Sequence, residues 1–297
     1  MSISRQNLSV VIVSFFSDEV IHNCVKSIPE DINIIIVDNS GNKKFKESIE
    51  KQYKNIKCLL SPNNLGMGSG NNLGLKNIDT DYALILNPDV VLEKNSIDEL
   101  INASKEIENF GIIAPLINSS KNLNYKLFDK KNIQTERDIP FKVKSVDGFA
   151  MLLNLKKMIQ IDSFKNFNFF DENIFLFLEN DDLCKRLIDN DQSIYIIPKS
   201  KVNHLGAGGV NKKFSYQIEL SRNWHWIWSK FYFNRKHRGY LTALFEGLPT
   251  FFSSIIKFLF YLAFKNNKKK EIYLFRALGY LNAAMGKKSY YRPNIEN

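Results

Sequence analysis

The stretch that most constrains the fold of this chain is Asp81-Tyr-Ala-Leu-Ile-Leu-Asn-Pro-Asp-Val-Val91. Its apolar run, Tyr82 to Leu86, predicts a buried strand that stops at Asn87-Pro88-Asp89. Because proline has no N–H to donate to a sheet, a strand inside a sheet is expected to end here. Asp89 then lies at the carboxyl end of a buried strand, the edge at which open α/β sheets bind ligands. The alternative for Asp89 is a solvated turn residue.

The chain before this stretch alternates between apolar strands and helices. The patterns predict strands at Val10–Phe15, Asn33–Val37 and Ile56–Leu60, and helices over 18–28 and 43–53. Short β-branched runs without polar alternation are typical of parallel strands buried on both faces. The βαβαβ order therefore predicts an α/β fold with a doubly wound, mostly parallel, Rossmann-like sheet.

Charge divides the chain into two parts. The net charge is +10, but residues 201–297 carry 17 Lys and Arg against 4 Glu, whereas the first 200 residues are close to neutral. We expect a catalytic domain over 1–210 and a basic, aromatic, helical region over 211–297 that faces an anionic partner. The three scattered cysteines suit a reducing compartment, and the polar N-terminus shows no signal-peptide core.

A glycine-rich stretch precedes the fourth strand. Residues 61–74 contain four glycines and four asparagines, which predict a loop. Glycine allows the backbone to approach a phosphate closely, and successive N–H groups form an anion-binding concavity. The spacing matches neither a P-loop nor a dinucleotide fingerprint. The alternative is an ordinary flexible loop.

Six motifs follow one another within residues 8–205. They are Val10-Val-Ile-Val-Ser14, Ile35-Ile-Val-Asp-Asn39, Asn64-Leu-Gly-Met-Gly-Ser-Gly-Asn-Asn-Leu-Gly74, Leu86-Asn-Pro-Asp89, Val146-Asp-Gly-Phe-Ala-Met-Leu152 and Phe170-Asp-Glu-Asn-Ile-Phe-Leu-Phe-Leu-Glu-Asn-Asp-Asp-Leu-Cys-Lys-Arg186. In this order they resemble the family 2 glycosyltransferases with the GT-A fold, most closely the rhamnosyltransferase-like branch. Each motif alone is weak, and the ordered set is specific.

The resemblance implies a nucleotide-sugar donor and a divalent cation, Mg²⁺ or Mn²⁺. It assigns Asp38 to the pyrimidine base, and Asp89, in the family's variant of the DXD motif, to the metal. His204 resembles a histidine that completes the metal site in the family, although a lone histidine is more often structural. The donor-binding residues implied are Ser14, Phe15, Asp38, Asn39, Asn64, Gly66, Gly70, Asn71, Asn87, Asp147 and Gly148. Phe15 or Phe16 could stack on the base, and at least one of them is expected in the core.

The acids at 179–182 are the candidates for a general base. In the family pattern, Asn180 stands where many members carry an aspartate that serves as the base, and an amide cannot accept that proton. We favour Glu179, followed by Asp182, with Asp181 as a further alternative. A sugar transfer with inversion needs one such carboxylate. The competing interpretation is a helix start capped by Asn180, in which acids are stabilised by the helix dipole.

The carboxyl-terminal region predicts membrane association. Residues 240–264 are strongly apolar but contain Glu246, Pro249 and Lys257, so we expect insertion in the plane of the membrane and not a clean span. Lysines over 265–270 and at 287–288 suit anionic lipid. The alternative is a helical subdomain that packs on the core or forms a homodimer. Nucleic-acid binding is not expected, because no recognition module is present.

These expectations combine into one function. The chain is predicted to be an inverting, metal-dependent glycosyltransferase that moves rhamnose from dTDP-rhamnose to a lipid-linked glycan acceptor. It would lie in the cytoplasm, peripheral on the inner face of the plasma membrane. The alternatives are a UDP-galactose or UDP-glucose transferase of the same fold, or a non-catalytic membrane-bound scaffold with a decayed site. Glycines at 206, 208 and 209 predict a mobile loop over the donor.

Overall fold

A computed structural model describes residues 3–107, 109–119, 123–129, 138–206 and 212–292. The chain divides into two compact units: Met1–Asp171 with Asn180–Asn211, and Glu172–Glu179 with Lys212–Asn297. The segment 172–179, which the sequence assigned to the first domain, is thus grouped with the carboxyl-terminal helices. Gly208 and Gly209 of the predicted mobile loop lie outside the described residues.

The first unit is built on a nine-stranded sheet in the order β3-β2-β1-β4-β10-β6-β11-β5, with β8 paired to β11. The strands of the described residues are β1 Leu8–Ser14, β2 Asn33–Asp38, β3 Ile56–Leu60, β4 Tyr82–Leu86, β5 Val90–Leu92, β6 Ile112–Ile117, β7 Tyr125–Lys126, β8 Phe141–Lys142, β9 Ser145–Val146, β10 Ala150–Asn154 and β11 Ile194–His204. Of these, β7 and β9 pair with each other in a separate two-stranded sheet. The first four strands are parallel, as predicted. β10 lies antiparallel between β4 and β6, so the sheet as a whole is mixed.

Helices cover both faces of this sheet. They are α1 Ile21–Lys26, α2 Lys43–Gln52, α3 Gly66–Leu75, α4 Ser96–Glu106, α5 Leu155–Met158 and α6 Glu179–Ile188, the last beginning at the residue where the units divide. Successive side chains of β1 enter two separate cores: Val10 and Ile12 belong to one, and Val11 and Val13 to the other. Burial on both faces explains why the strands read as uninterrupted apolar runs.

The glycine-rich stretch is a helix, and the prediction of a loop over 61–74 was wrong for its second half. α3 spans Gly66–Leu75, and most of its residues are buried. A Cβ at Gly74 would lie 2.4 Å from a methyl carbon of Val11, and one at Gly70 would lie 2.9 Å from Val13. The glycines therefore let the helix lie directly on β1, and this tertiary packing outweighs the poor helix propensity of Gly and Asn.

One helix boundary also differs from the prediction. α1 begins at Ile21 and not at residue 18, because residues 18–20 form a turn. β11 continues past Pro198 to His204. A register shift against β6 between Ile197 and Lys201 accommodates the proline, which is the place in a sheet where proline is tolerated. This extension brings His204 to the sheet.

The second unit contains three long helices, α7 Ser215–Arg238, α8 Tyr240–Ala263 and α9 Asn267–Ala284. They share a core that includes Trp224, Trp228 and Tyr280. The ring nitrogens of the buried His225 lie 2.8 Å from the carbonyl of Tyr291 and 3.0 Å from the hydroxyl of Ser289. Burial lowers the pKa of His225 to about 3, so this side chain is neutral and structural.

One side of α8 is an exposed apolar stripe. Its exposed members are four or seven residues apart, which is one or two helical turns: Leu241, Phe245, Phe252, Ile256 and Phe260. The charged residues of α8 are engaged by neighbouring helices instead. Glu246 lies 2.6 Å from Arg238, and the Lys257 ammonium lies over the ring of Tyr273 at 5.2 Å. Within the described residues, α8 alone is long and apolar enough to cross a membrane by length and composition.

Candidate active site

The carboxyl ends of β1, β2 and β4 lie side by side at one edge of the sheet. Ser14 is paired with Asp38, and Ile12 is paired with both Ile36 and Leu86. The polar residues that follow these strands therefore share one edge, as the sequence predicted from the parallel order. The ends of parallel strands are the place where α/β proteins bind ligands.

Asp38 is buried and holds the turn that follows β2. Its carboxylate accepts hydrogen bonds from the hydroxyls of Ser14 (3.2 Å) and Ser40 (2.7 Å) and from the N–H of Asn42 (2.9 Å). Charge-assisted bonds of this kind fix a loop firmly. The residue assigned to the donor base thus also shapes the backbone around that position.

Asn39 connects this turn to the start of α3. Its amide donates to the carbonyl of Gly66 (3.1 Å), and the N–H of Gly66 donates to the side chain of Asn64 (3.0 Å). Gly70 lies directly behind, where a Cβ would be 3.5 Å from the amide nitrogen of Asn39. Among the described residues, nothing donates to the buried Oδ1 of Asn71. Three of the predicted donor-binding residues, Asn39, Asn64 and Gly66, therefore lie together at the start of α3.

The rings at the end of β1 lie next to one another. Phe15 and Phe16 are both half-buried, with their ring centroids 4.8 Å apart in an edge-to-face arrangement. Phe16 has a φ of 51°, in the left-handed region that non-glycine residues rarely adopt. The chain thus turns sharply at the end of the strand and leaves both rings partly accessible.

Asp89 and His204 come together because β5 pairs with the end of β11, in the register that sets Val90 opposite His204. Asp89 Oδ1 lies 3.3 Å from His204 Nε2, and Asp89 is only 5% exposed. The imidazole stacks on Phe149 with ring centroids 4.2 Å apart. Asn87, two residues before Asp89, donates its N–H to the carbonyl of Phe149 (2.8 Å). The buried Oδ1 of Asn87 accepts no hydrogen bond from the described residues.

These residues fit a divalent cation that takes further ligands from the donor. The described residues contain no cluster of three or more His, Cys, Asp or Glu side chains placed to hold a metal. A carboxylate next to an imidazole supplies two ligands of types found on Mn²⁺, and the nitrogen ligand suits Mn²⁺ better than Mg²⁺. Sites of this kind commonly rely on substrate phosphates to complete the coordination.

Asp147 and Gly148 form the turn between β9 and β10. The pKa of Asp147 is raised, first because neighbouring protein removes part of its hydration, and also because the Asp181 carboxylate repels its charge. Lys126 and His204 act in the opposite direction, so all three groups lie close enough to influence Asp147. Ala150, just after this turn, pairs with Leu86 at the end of β4, so the turn with Asp147 lies at the same edge as Asp89. Lys126, which binds Asp181 at 2.7 Å, pairs with Ser145 just before the turn, so Asp181 lies close to it.

The acids at the start of α6 have different surroundings. Asp181 pairs with Lys126 at 2.7 Å. Asp182 is fully buried and pairs with Arg186 at 2.8 Å, and Arg186 also donates to the carbonyl of Phe169. A buried, ion-paired carboxylate is unsuited to take a proton from an acceptor hydroxyl, so Asp182 is better explained as structural. Glu179 is the first residue of α6 and is grouped with the second unit.

Asn180 is inside α6, where the sequence suggested a cap before the helix. Its amide donates to the carbonyl of Val146 (2.7 Å), and its Cβ lies 3.2 Å from the position that a Cβ of Gly148 would occupy. Asn180 therefore ties α6 to the turn that carries Asp147.

The sequence did not single out Lys126, Asn72 or Phe149 as important. Lys126 is on the short strand β7 and binds Asp181 at 2.7 Å. Asn72 is fully buried and binds both backbone groups of Phe170, at 2.9 Å from its N–H and 2.8 Å from its carbonyl. The position of Asn72 among apolar residues was the signal that could have identified it, since a buried amide needs hydrogen-bond partners.

Comparison with known proteins agrees with this geometry. A family model described as "Glycosyl transferase family 2" matches residues 9–161, more than half of the chain. The chain belongs to glycosyl transferase family 2. This result supports the family part of the resemblance and leaves the rhamnosyltransferase-like branch a prediction.

Two curated glycosyltransferases align with part of the chain. The low-salt glycan biosynthesis hexosyltransferase Agl10 of Haloferax volcanii is 26% identical over 192 residues, which is 61% of each protein. The uncharacterised glycosyltransferase RP339 of Rickettsia prowazekii is 32% identical over 114 residues, covering 38% of this chain and 33% of the relative. The chain thus spans less than two thirds of the length of these relatives.

Solved structures show the same fold. The mannosyltransferase PcManGT from Pyrobaculum calidifontis, solved with GDP-Man and Mn²⁺, superposes with a TM-score of 0.55. The match covers 95% of this chain and 88% of that one, at 10% identity. The predicted α/β GT-A fold is therefore confirmed for this family 2 chain.

The surroundings of Asp147 predict a pH-dependent effect on stability. Asp147→Asn is expected to raise the free energy of unfolding at neutral pH, because the ionised side chain is penalised in the folded state. A group with a raised folded pKa costs stability above that pKa, and the cost disappears when both states are protonated. The advantage of the variant should therefore shrink as pH falls through the raised pKa, as measured by urea unfolding over a pH series.

Asp181→Asn is the matched control, since it removes the partner of Lys126 and should lower stability by up to about 1 kcal/mol. A loss of stability at neutral pH in Asp147→Asn would contradict the description of this site.

Proposed function

We propose that the chain is an inverting glycosyltransferase that binds a nucleotide-sugar at the carboxyl edge of β1, β2 and β4. The observation that carries this proposal is the position of Asp38, the Asp89–His204 pair and Asp181 at one edge of the sheet. Family membership supports the same reaction class. The base would lie at the Asp38 turn, and the diphosphate between the start of α3 and Asp89. The N–H groups of a first helical turn suit a phosphate.

The departing nucleoside diphosphate carries negative charge that must be stabilised. Asp89 and His204 would hold Mg²⁺ or Mn²⁺, which when bound neutralises that charge. The buried Oδ1 of Asn87 accepts no hydrogen bond from the described residues, and it is available to a hydroxyl of the sugar donor. With the charge of the leaving group neutralised in this way, the reaction would need no protein acid on that side.

The other half of the reaction needs a base. The acceptor hydroxyl would lose its proton to a carboxylate while its oxygen attacks the anomeric carbon, and the bond from that carbon to the diphosphate oxygen would break. Glu179 remains the favoured base. Asp181 is the second choice because it reaches the edge that carries Asp147 but is paired with Lys126.

The donor sugar is proposed to be rhamnose, carried on dTDP. A UDP-hexose such as UDP-galactose or UDP-glucose is the second candidate, and the name of the Haloferax relative, a hexosyltransferase, favours it. A non-catalytic scaffold with a decayed site is less well supported, because the Asp89–His204 pair and the Asp38 turn are intact.

The acceptor is proposed to be a lipid-linked glycan at the inner face of the plasma membrane. The exposed stripe of α8 is apolar over the length of the helix, and the excess of lysine and arginine in the second unit complements anionic lipid. A helix lying in the membrane plane would bury this stripe and keep Glu246 and Lys257 on the protein side.

Binding of donors by the purified chain tests the function. We expect dTDP-rhamnose to bind more tightly than UDP-galactose or UDP-glucose in calorimetry with Mn²⁺, and EDTA to abolish binding. Asp89→Asn should weaken metal-dependent binding at least about tenfold, whereas the exposed Asp162→Asn should not. Binding that survives chelation would remove Asp89 from the metal, and failure to bind any nucleotide-sugar would favour the scaffold.

The role of Glu179 is tested by turnover. Glu179→Gln should lower kcat about 100-fold or more with donor affinity unchanged, because the amide can still occupy the position but cannot accept a proton. Glu172→Gln makes the same chemical change seven residues earlier and should leave kcat near the wild-type value. Near-normal turnover of Glu179→Gln would transfer the role to Asp181.

Flotation with liposomes tests membrane association. The chain should float with vesicles that contain phosphatidylserine, and less at high salt. Phe252→Ser with Ile256→Ser should weaken binding about 100-fold, because two side chains that are 58% and 66% exposed would lose burial in lipid. Phe128→Ser with Ile139→Ser, equally exposed in the first unit, is the control. Equal effects of both pairs, or a stable dimer formed through the stripe, would overturn the membrane assignment.

A further inference from the structure

The second unit contains a cavity of about 410 Å³ that no step of the proposed reaction uses. Its size is within the range of small-molecule sites. It lies where the carboxyl ends of α7 and α9 meet, and its lining residues are Asn173, Trp228, Tyr232, Arg235, Lys236, Ala283, Gly286, Lys287 and Lys288. Every one of these residues belongs to the second unit.

The lining is cationic. Arg235, Lys236, Lys287 and Lys288 are among the lining residues, and none of the described lining residues is acidic. Arg235, Lys287 and Lys288 make no ion pair with any residue that the structure describes. A concave surface with several cations and no carboxylate concentrates anions, and a phosphate can bind several such donors at once.

Helix electrostatics explains part of this charge. Basic residues in the last turn of α7 offset the partial negative charge of the helix end, and Arg235 and Lys236 are in that turn. The effect does not extend to Lys287 and Lys288, which follow the end of α9 by three and four residues and line the same cavity. The helix dipole also does not explain why these basic residues line a cavity.

Ring stacking and a hydrogen bond hold part of the cavity lining in place. Trp228 and Tyr232 stack with ring centroids 5.1 Å apart and planes 12° apart, and the Trp228 indole N–H donates to the carbonyl of Lys287 at 3.0 Å. Gly286, with a φ of 73°, makes the turn that brings Lys287 to this position. The lysine backbone is therefore held in place before any ligand arrives, which lowers the cost of binding.

The cavity is next to the start of the apolar stripe. The guanidinium of Arg235 lies over the ring of Tyr240 at 6.0 Å, and the Tyr240 hydroxyl donates to the carbonyl of Ala284 at 3.2 Å. Tyr240 is the first residue of α8, and the exposed Leu241 follows it. The exposed Met285 stands between Ala284 and the cavity residue Gly286. Cationic and apolar surfaces thus adjoin.

We propose that this cavity binds the phosphate or diphosphate group of an anionic lipid, with the alkyl chain along the exposed stripe of α8. The proposal extends the lipid-linked acceptor to a specific recognition site, and it relies on the proposed function only for the origin of that lipid. The cavity shares no lining residue with the proposed donor site, so the two proposals can fail independently.

The test compares vesicles of equal surface charge and uses the full chain in EDTA, which excludes metal-dependent binding at the donor site. Phosphatidylcholine vesicles containing phosphatidic acid, a phosphomonoester, should bind more tightly than vesicles containing phosphatidylserine. Lys287→Gln with Lys288→Gln should weaken binding to phosphatidic acid about 30-fold, from about fivefold for each basic residue. Lys265→Gln with Lys270→Gln removes the same charge outside the cavity and should cost much less.

Soluble pyrophosphate separates the two sources of a phosphate. It should bind to the wild type and compete with phosphatidic acid, and Phe252→Ser with Ile256→Ser should weaken vesicle binding but not pyrophosphate binding. Pyrophosphate binding without any preference for phosphatidic acid vesicles would restrict the site to free anions and overturn the lipid assignment. Equal losses in both lysine pairs would reduce the effect to general surface attraction and overturn the site.

Thermal melting shows whether each variant is folded, and only folded variants are compared. Should the Lys287 and Lys288 pair fail to fold, the single change Lys288→Glu, at an exposed side chain, provides the same comparison. Unchanged donor binding in that variant would separate a failure of this site from a failure of the transfer reaction.

Discussion

The pairing of β5 with the last residues of β11 is the interaction on which the candidate metal site depends. Pro88 ends β4, and the chain immediately forms β5, which places Val90 opposite His204. A carboxylate and an imidazole that are 115 positions apart in sequence are thereby held 3.3 Å from each other. Phe149 contacts both segments that form the site: its carbonyl accepts a hydrogen bond from the N–H of Asn87, and its ring stacks on His204. The site is a product of backbone pairing, and its precision does not rely on a mobile loop.

The sequence could predict those parts of the site that follow from strand burial. Strands that are buried on both faces give uninterrupted apolar runs, and Pro88 marks the end of β4, so Asp38 and Asp89 could be assigned to one edge in advance. α3 could not be predicted, because glycine and asparagine favour loops locally. Its stability comes from contacts that local patterns do not contain: the approach of Gly74 to Val11 and the pairing of Asn72 with Phe170.

Asn180 has a structural role near the start of α6. The Asn180 amide donates a hydrogen bond to the carbonyl of Val146. An ionised aspartate at this position has no proton to donate and would face that carbonyl with a second acceptor. Asparagine therefore satisfies a partner that aspartate would repel, and it secures the turn that carries Asp147 and Gly148. At that turn, burial and, to a smaller extent, repulsion by the Asp181 carboxylate raise the pKa of Asp147.

The second unit separates apolar surface from charge in a way that folding alone does not require. Its core is complete without the stripe of α8, because Trp224, Trp228 and Tyr280 already pack between the helices. The charges of α8 are neutralised by Arg238 and accommodated on Tyr273, so they do not interrupt the stripe. An exposed apolar stripe next to a cationic cavity adds two independent attractions for an amphiphile, one proportional to buried area and one screened by salt. Neither attraction by itself distinguishes a lipid from an ordinary apolar or anionic ligand, and it is their adjacency around Tyr240 that selects a molecule with both properties.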